Sequence, residues 1–131
     1  MNHPLVSYPK DIDTPTSHLP FSPAVQFGDL IFVSGQASVD ATGKIVSDTF
    51  EGEFRRSIEN MKKILEAAGS DLEHVIQTRN YVREVTDVPL YNQLYREYFK
   101  DPFPARTTIT SCLPPTLKYE IECVAVKKPK S

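Results

Sequence analysis

The stretch from Asp48 to Gly69, DTFEGEFRRSIENMKKILEAAG, sets the strongest limit on what this chain can fold into. Phe50, Phe54, Ile58, Met61, Leu65 and Ala68 recur every three or four residues, which gives a helix one apolar stripe and one charged face. Such a stripe needs an apolar surface to lie on, and a helix of this span is about 30 Å long, so the surface must be extensive. Asp48 and Glu51 have the spacing of a capping box, and Gly69 suits the left-handed position that ends a helix.

The flanking segments supply that surface. PAVQFGDLIFVSGQ (23–36) reads as two strands joined at Gly28-Asp29, and SVDATGKIV (38–46) carries a turn at Asp40–Gly43. HVIQTRNYVREV (74–85) is rich in β-branched residues and reads as another strand. TDVPLYNQLYREYF (86–99) offers Thr86 or Asp87 as a cap and Pro89 in the first turn, with Tyr91, Leu94, Tyr95 and Tyr98 on one helical face. Two alternating segments, RTTITSC and KYEIECVAV, close the chain around LPPTL. The order of strands, helix, strand, helix and strands implies an α+β domain with two helices on one face of a mixed sheet. One domain is expected over 1–131, with residues 1–17 as an N-terminal arm or edge strand. The uncovered sheet face is apolar enough to expect burial in an oligomer.

Composition narrows the function. The 131 residues carry a net charge of −2, which argues against a dedicated nucleic-acid binder. No apolar run approaches the roughly 18 residues of a membrane span. The start MNHPLVSYPKDIDTP lacks the charged-then-apolar order of a signal peptide, and Cys112 and Cys123 are too few for a disulfide scaffold. A cytoplasmic protein with two reduced thiols is the expectation. Glycine-rich nucleotide motifs and H-E-x-x-H are absent, and His3, His18 and His74 are scattered without metal or triad spacing.

What remains is a set of polar residues where elements end. Arg106 begins a strand directly behind Pro102 and Pro104, which suits a guanidinium held still to meet an anion. Glu120 and Glu122 share one face of the last strand. Ser34 and Gln36 flank Gly35 where an apolar strand ends, and Asn92 sits on the tyrosine-lined helix. Each has a plain structural alternative: a surface ion pair for Arg106, a solvated edge for either glutamate, and a tight turn for Ser34-Gly35-Gln36.

From about residue 18 to residue 126 the chain resembles the Rid family, the reactive intermediate deaminases or YjgF-like proteins. The matching stretches are PFSPAV, GDLIFVSGQ, TGKIV, NMKKILEAAGSDLEHVIQTRNYV, YNQLYREYF, FPARTTI and LPPTLKYEIECVAV, in shared order and spacing. The resemblance implies a chorismate-mutase-like fold, and a homotrimer whose sheets enclose a central barrel and whose sites lie between subunits. It also implies hydrolysis of 2-imino acids, such as those derived from 2-aminoacrylate, to 2-keto acids and ammonia without a cofactor. Carried over residue by residue, it assigns catalytic roles to Arg106 and Glu120, and substrate contacts to Arg106, Ser34, Asn92, Phe21 and Thr108. Two departures stand out. Leu19-Pro20-Phe21-Ser22-Pro23 replaces the usual G-P-Y-S-Q, so Phe21 lacks a phenol hydroxyl. Thr108 stands where many members have cysteine, at a contact attributed to the backbone carbonyl. The ligands implied are small 2-imino or 2-keto acids, with no nucleic acid and no membrane. A non-catalytic sensor of small carboxylates is the alternative, and endoribonuclease activity, attached to some relatives, is a third reading.

Overall fold

In the computed structural model, which describes residues 2–130, the amphipathic stretch forms helix α1, Phe50–Ala67. Its stripe lies on a sheet built from β1 (Val6–Ser7), β2 (Ala24–Phe27), β3 (Leu30–Ala37), β4 (Val75–Val82), β5 (Ala105–Thr110) and β6 (Tyr119–Val126). The strand order is β1-β2-β3-β6-β4-β5, antiparallel except for the parallel pair β4–β5. Parallel neighbours need a crossover, and helix α2 (Val88–Tyr98) provides it. The expected arm pairs with the sheet only at β1, which lies on the edge beside β2.

Alternation along the strands assigns the two faces. In β6, Tyr119, Ile121, Cys123 and Ala125 are buried, whereas Glu120, Glu122, Val124 and Val126 are only partly covered. The buried set joins one core with Phe54, Ile58 and Met61 of α1 and with Tyr91, Leu94 and Tyr95 of α2. The rings of Phe54 and Tyr119 meet at 4.6 Å. Both helices therefore cover the same face, as the patterning implied. On the other face Leu30, Phe32 and Ile109 stand exposed, an apolar surface of the kind that mediates association.

Several boundaries differ from the sequence reading. The cap of α1 is Thr49, not Asp48, because the helix begins at Phe50; Thr49 Oγ1 accepts the Gly52 N–H at 3.1 Å. Glu53, rather than Glu51, reaches back and accepts the Asp48 N–H at 3.1 Å. Asp87 occupies the cap position of α2 without a side-chain cap bond. A 3-10 turn over Val85–Asp87 runs straight into that helix, and the Val88 N–H donates to the Val85 carbonyl. A second such turn, Leu72–His74, trims the strand expected over 74–85 to Val75–Val82. Gly69 takes a φ of 79° and ends α1 as expected.

Candidate functional site

Arg106 extends from β5 on the helix-covered side of the sheet. Its strand partner is Thr78, which is buried and hydrogen-bonded to Tyr95 Oη at 2.8 Å. The guanidinium carbon lies 4.9 Å from the Tyr91 ring centroid and 5.0 Å from that of Tyr95. Cation–π contact with two buried rings fixes the plane of the group. Nη1 donates to Asn92 Oδ1 at 2.8 Å, which uses one of the five guanidinium donors and leaves the group exposed for an anion. Arg106, Asn92 and Tyr95, with Phe103, Pro104 and Arg96, line a cavity of about 230 Å³. Thr108, two residues along β5, bonds Tyr91 Oη through its hydroxyl at 2.7 Å. Burial raises the Tyr91 hydroxyl above the usual phenol range and pushes that of Tyr95 to about 12, so both stay neutral beneath the cation.

Glu120 lies on the opposite face. It pairs with Tyr81 of β4 and Ala37 of β3, and it lines a cavity of about 550 Å³ together with Phe21, Ser34, Gly35 and Glu122. Burial, and then the charge of Glu122, raise its carboxyl above the ordinary range. Glu122 accepts from Tyr81 Oη at 2.6 Å and sits 3.6 Å from Arg79. That hydrogen bond, ahead of burial, raises Tyr81 to about 12. The Ser34 hydroxyl donates to the Ser22 carbonyl at 2.5 Å, so its proton fastens the segment before β2 to β3.

The sequence-derived candidates thus form two groups. Arg106, Asn92 and Thr108 gather at β5 and α2; Glu120, Ser34 and Phe21 gather at β3, β6 and the segment before β2. One chain does not bring Arg106 and Glu120 together, because the sheet lies between them.

Residue types alone had not singled out three contributors. Tyr91 and Tyr95 read as core, and their buried rings also carry Arg106. Gly35 read as a turn, yet a Cβ there would overlap Glu120 Oε2, so its missing side chain makes room for the carboxylate. Its place between Ser34 and Gln36 was the available signal. Gly35→Ala is expected to keep the fold, because the displaced atom is the end of a flexible side chain. Any reaction that depends on the placement of the Glu120 carboxylate should slow at least about tenfold, since small misplacements are costly. Urea unfolding alongside turnover checks this, and a fully active Gly35→Ala protein would contradict it.

The family model described as Endoribonuclease L-PSP matches residues 11–127. A human protein named 2-iminobutanoate/2-iminopropanoate deaminase is 37% identical over 112 residues, which cover 84% of this chain and 82% of that one. The structure of a putative endoribonuclease from Thermotoga maritima aligns with a TM-score of 0.84 at 35% identity, covering 94% of this chain and 98% of the other. A Yersinia pestis protein of unknown function, from the conserved Rid protein family, gives a TM-score of 0.84 at 29% identity, covering 92% and 98%. Fold, matched length and identity agree, and the chain belongs to the L-PSP family, the Rid or YjgF-like proteins.

Proposed function

We propose that this protein hydrolyses 2-imino acids to 2-keto acids and ammonia, at sites where Arg106 of one copy faces Glu120 of another. The observation that carries this is the pairing of opposite chemistries on opposite faces. A guanidinium immobilised on two tyrosines is exposed on one side, and a half-buried carboxylate of raised pKa stands in a cavity on the other. The relatives named as imino-acid deaminases support the choice of reaction. The exposed apolar sheet face supports a homotrimer closed around a central barrel. The two free cysteines, Cys112 and Cys123, suit a cytoplasmic location.

The chemistry derives from the groups. Arg106 binds the substrate carboxylate through parallel hydrogen bonds and presents C2 to water. Glu120 takes a proton from that water as its oxygen bonds to C2 of the N-protonated imine, and the C=N electron pair moves to nitrogen to give the carbinolamine. Glu120 passes that proton to the nitrogen, then takes the hydroxyl proton as the carbonyl forms and the C–N bond breaks, and hands it to the departing ammonia. Every proton has a donor and an acceptor, so these steps use no cofactor.

Ammonia release from imines generated in situ by an amino-acid oxidase tests the reading, and it must exceed the spontaneous rate. Arg106→Lys keeps the charge but loses the fork, so kcat/KM is expected to fall by at least about 2 kcal/mol, with the fold intact. Undiminished turnover in that variant would return Arg106 to the surface. A second reading, a non-catalytic sensor of small carboxylates, is favoured by the lack of a hydroxyl on Phe21 and by the committed proton of Ser34. Pyruvate binding without any rate above the spontaneous one selects it.

A further inference from the structure

The cavity around Glu120 is larger and more apolar than a three-carbon acid requires. At about 550 Å³ it falls in the range, roughly 300–1,000 Å³, of cavities that enclose drug-sized ligands. Leu19 and Phe21 before β2, Val39 and Ile45 of the turn after β3, and Leu117 before β6 line it. In one chain Leu19, Phe21 and Ile45 are 58%, 48% and 42% exposed, an apolar wall on the side of the cavity that faces the site proposed between copies.

This wall is built rather than frayed. The Thr16 N–H and hydroxyl both donate to the Ala41 carbonyl at 3.2 Å, and Ser34 Oγ holds Ser22. A bridge between Val39 and Ile45 closes the turn, and Asp40 Oδ1 accepts from the N–H groups of Thr42 and Lys44. The cavity's charged members are Glu120 and Glu122, so a second negative charge on a ligand would be repelled.

We propose that this cavity takes 2-imino acids, and the 2-keto acids formed from them, whose side chains are branched or aromatic, with Phe21 and Ile45 setting the preference. The identity of the reacting end rests on the imine-hydrolysis reading, whereas the side-chain preference is measured by binding alone.

Calorimetry with pyruvate, 4-methyl-2-oxopentanoate, phenylpyruvate and 2-oxoglutarate tests it. The two apolar acids are expected to bind at least about tenfold more tightly than pyruvate, and 2-oxoglutarate most weakly. Phe21→Ala and Ile45→Ala should each lower the phenylpyruvate-to-pyruvate ratio by about tenfold. Two positions in separate segments keep the test alive if one variant fails to fold. Pyruvate binding as tightly as phenylpyruvate, a ratio unchanged in both variants, or no binding of any acid would overturn the proposal. Ammonia release confined to the smallest imines would overturn it while leaving hydrolysis standing. Selective phenylpyruvate binding without any ammonia release would support the ligand class and reject hydrolysis.

Discussion

Glu120→Gln is expected to lower imine hydrolysis by roughly 10²–10⁴-fold while pyruvate binds about as well as before. The amide keeps the size and hydrogen bonding of the carboxyl but cannot accept the proton of the attacking water. Binding survives because the carboxylate of the ligand is assigned to Arg106, which lies beyond the sheet from Glu120 within one chain. Burial and the neighbouring charge of Glu122 raise the Glu120 carboxyl. A base works ionised, so wild-type activity should rise with pH as Glu120 ionises. Glu122→Gln removes the like charge and should move that rise to lower pH. Equal turnover in Glu120→Gln and wild type, or a parallel loss of pyruvate affinity, would remove the base from the mechanism.

The second large effect concerns stability. Glu53 is fully buried, and its carboxylate accepts the Lys118 backbone N–H at 2.9 Å, the Lys118 ammonium at 3.2 Å and the Asp48 N–H at 3.1 Å. It therefore ties the start of α1 to the strand that carries Glu120. Glu53→Gln places an amide donor among three donors in a buried setting. The expected cost is about 3 kcal/mol, near the lower end of the loss caused by removing one member of a buried charged pair. Glu51, on the same helical turn, pairs with Arg55 in solvent, so Glu51→Gln should change stability by less than about 1 kcal/mol. Urea midpoints of the two variants compare the sites directly. A Glu53→Gln protein as stable as Glu51→Gln would mean that the buried knot contributes nothing.

The elements were legible where one periodicity dominated. The stripe from Phe50 to Leu65 identified α1, and the alternation in KYEIECVAV both identified β6 and put Glu120 and Glu122 on one face. The cap of α1 was missed because three acceptors, Asp48, Thr49 and Glu53, compete there, and only the starting residue of the helix decides among them. At the site, Arg106 and Glu120 were legible as residue types. Their separation was not, because it arises from β5 pairing in parallel with β4 and turning Arg106 toward α2. The role of Gly35 depends on the pairing of β3 with β6, interrupted between Val33 and Gln36, so its neighbours mark the position but not the carboxylate it faces. Tyr91 and Tyr95 were hidden because a core ring and a cation platform share the same helical spacing.

Subunit complementation tests the central claim most directly, since it asks whether one catalytic site draws on two chains. Arg106→Ala and Glu120→Gln proteins, each expected to be inactive alone, are unfolded together and refolded as an equal mixture, with light scattering to measure the state of assembly. Random assembly gives an intact Arg106 facing an intact Glu120 at about a quarter of the sites of a cyclic assembly. The account predicts recovery of about a quarter of wild-type imine hydrolysis. A mixed assembly no more active than its inactive parents would contradict it.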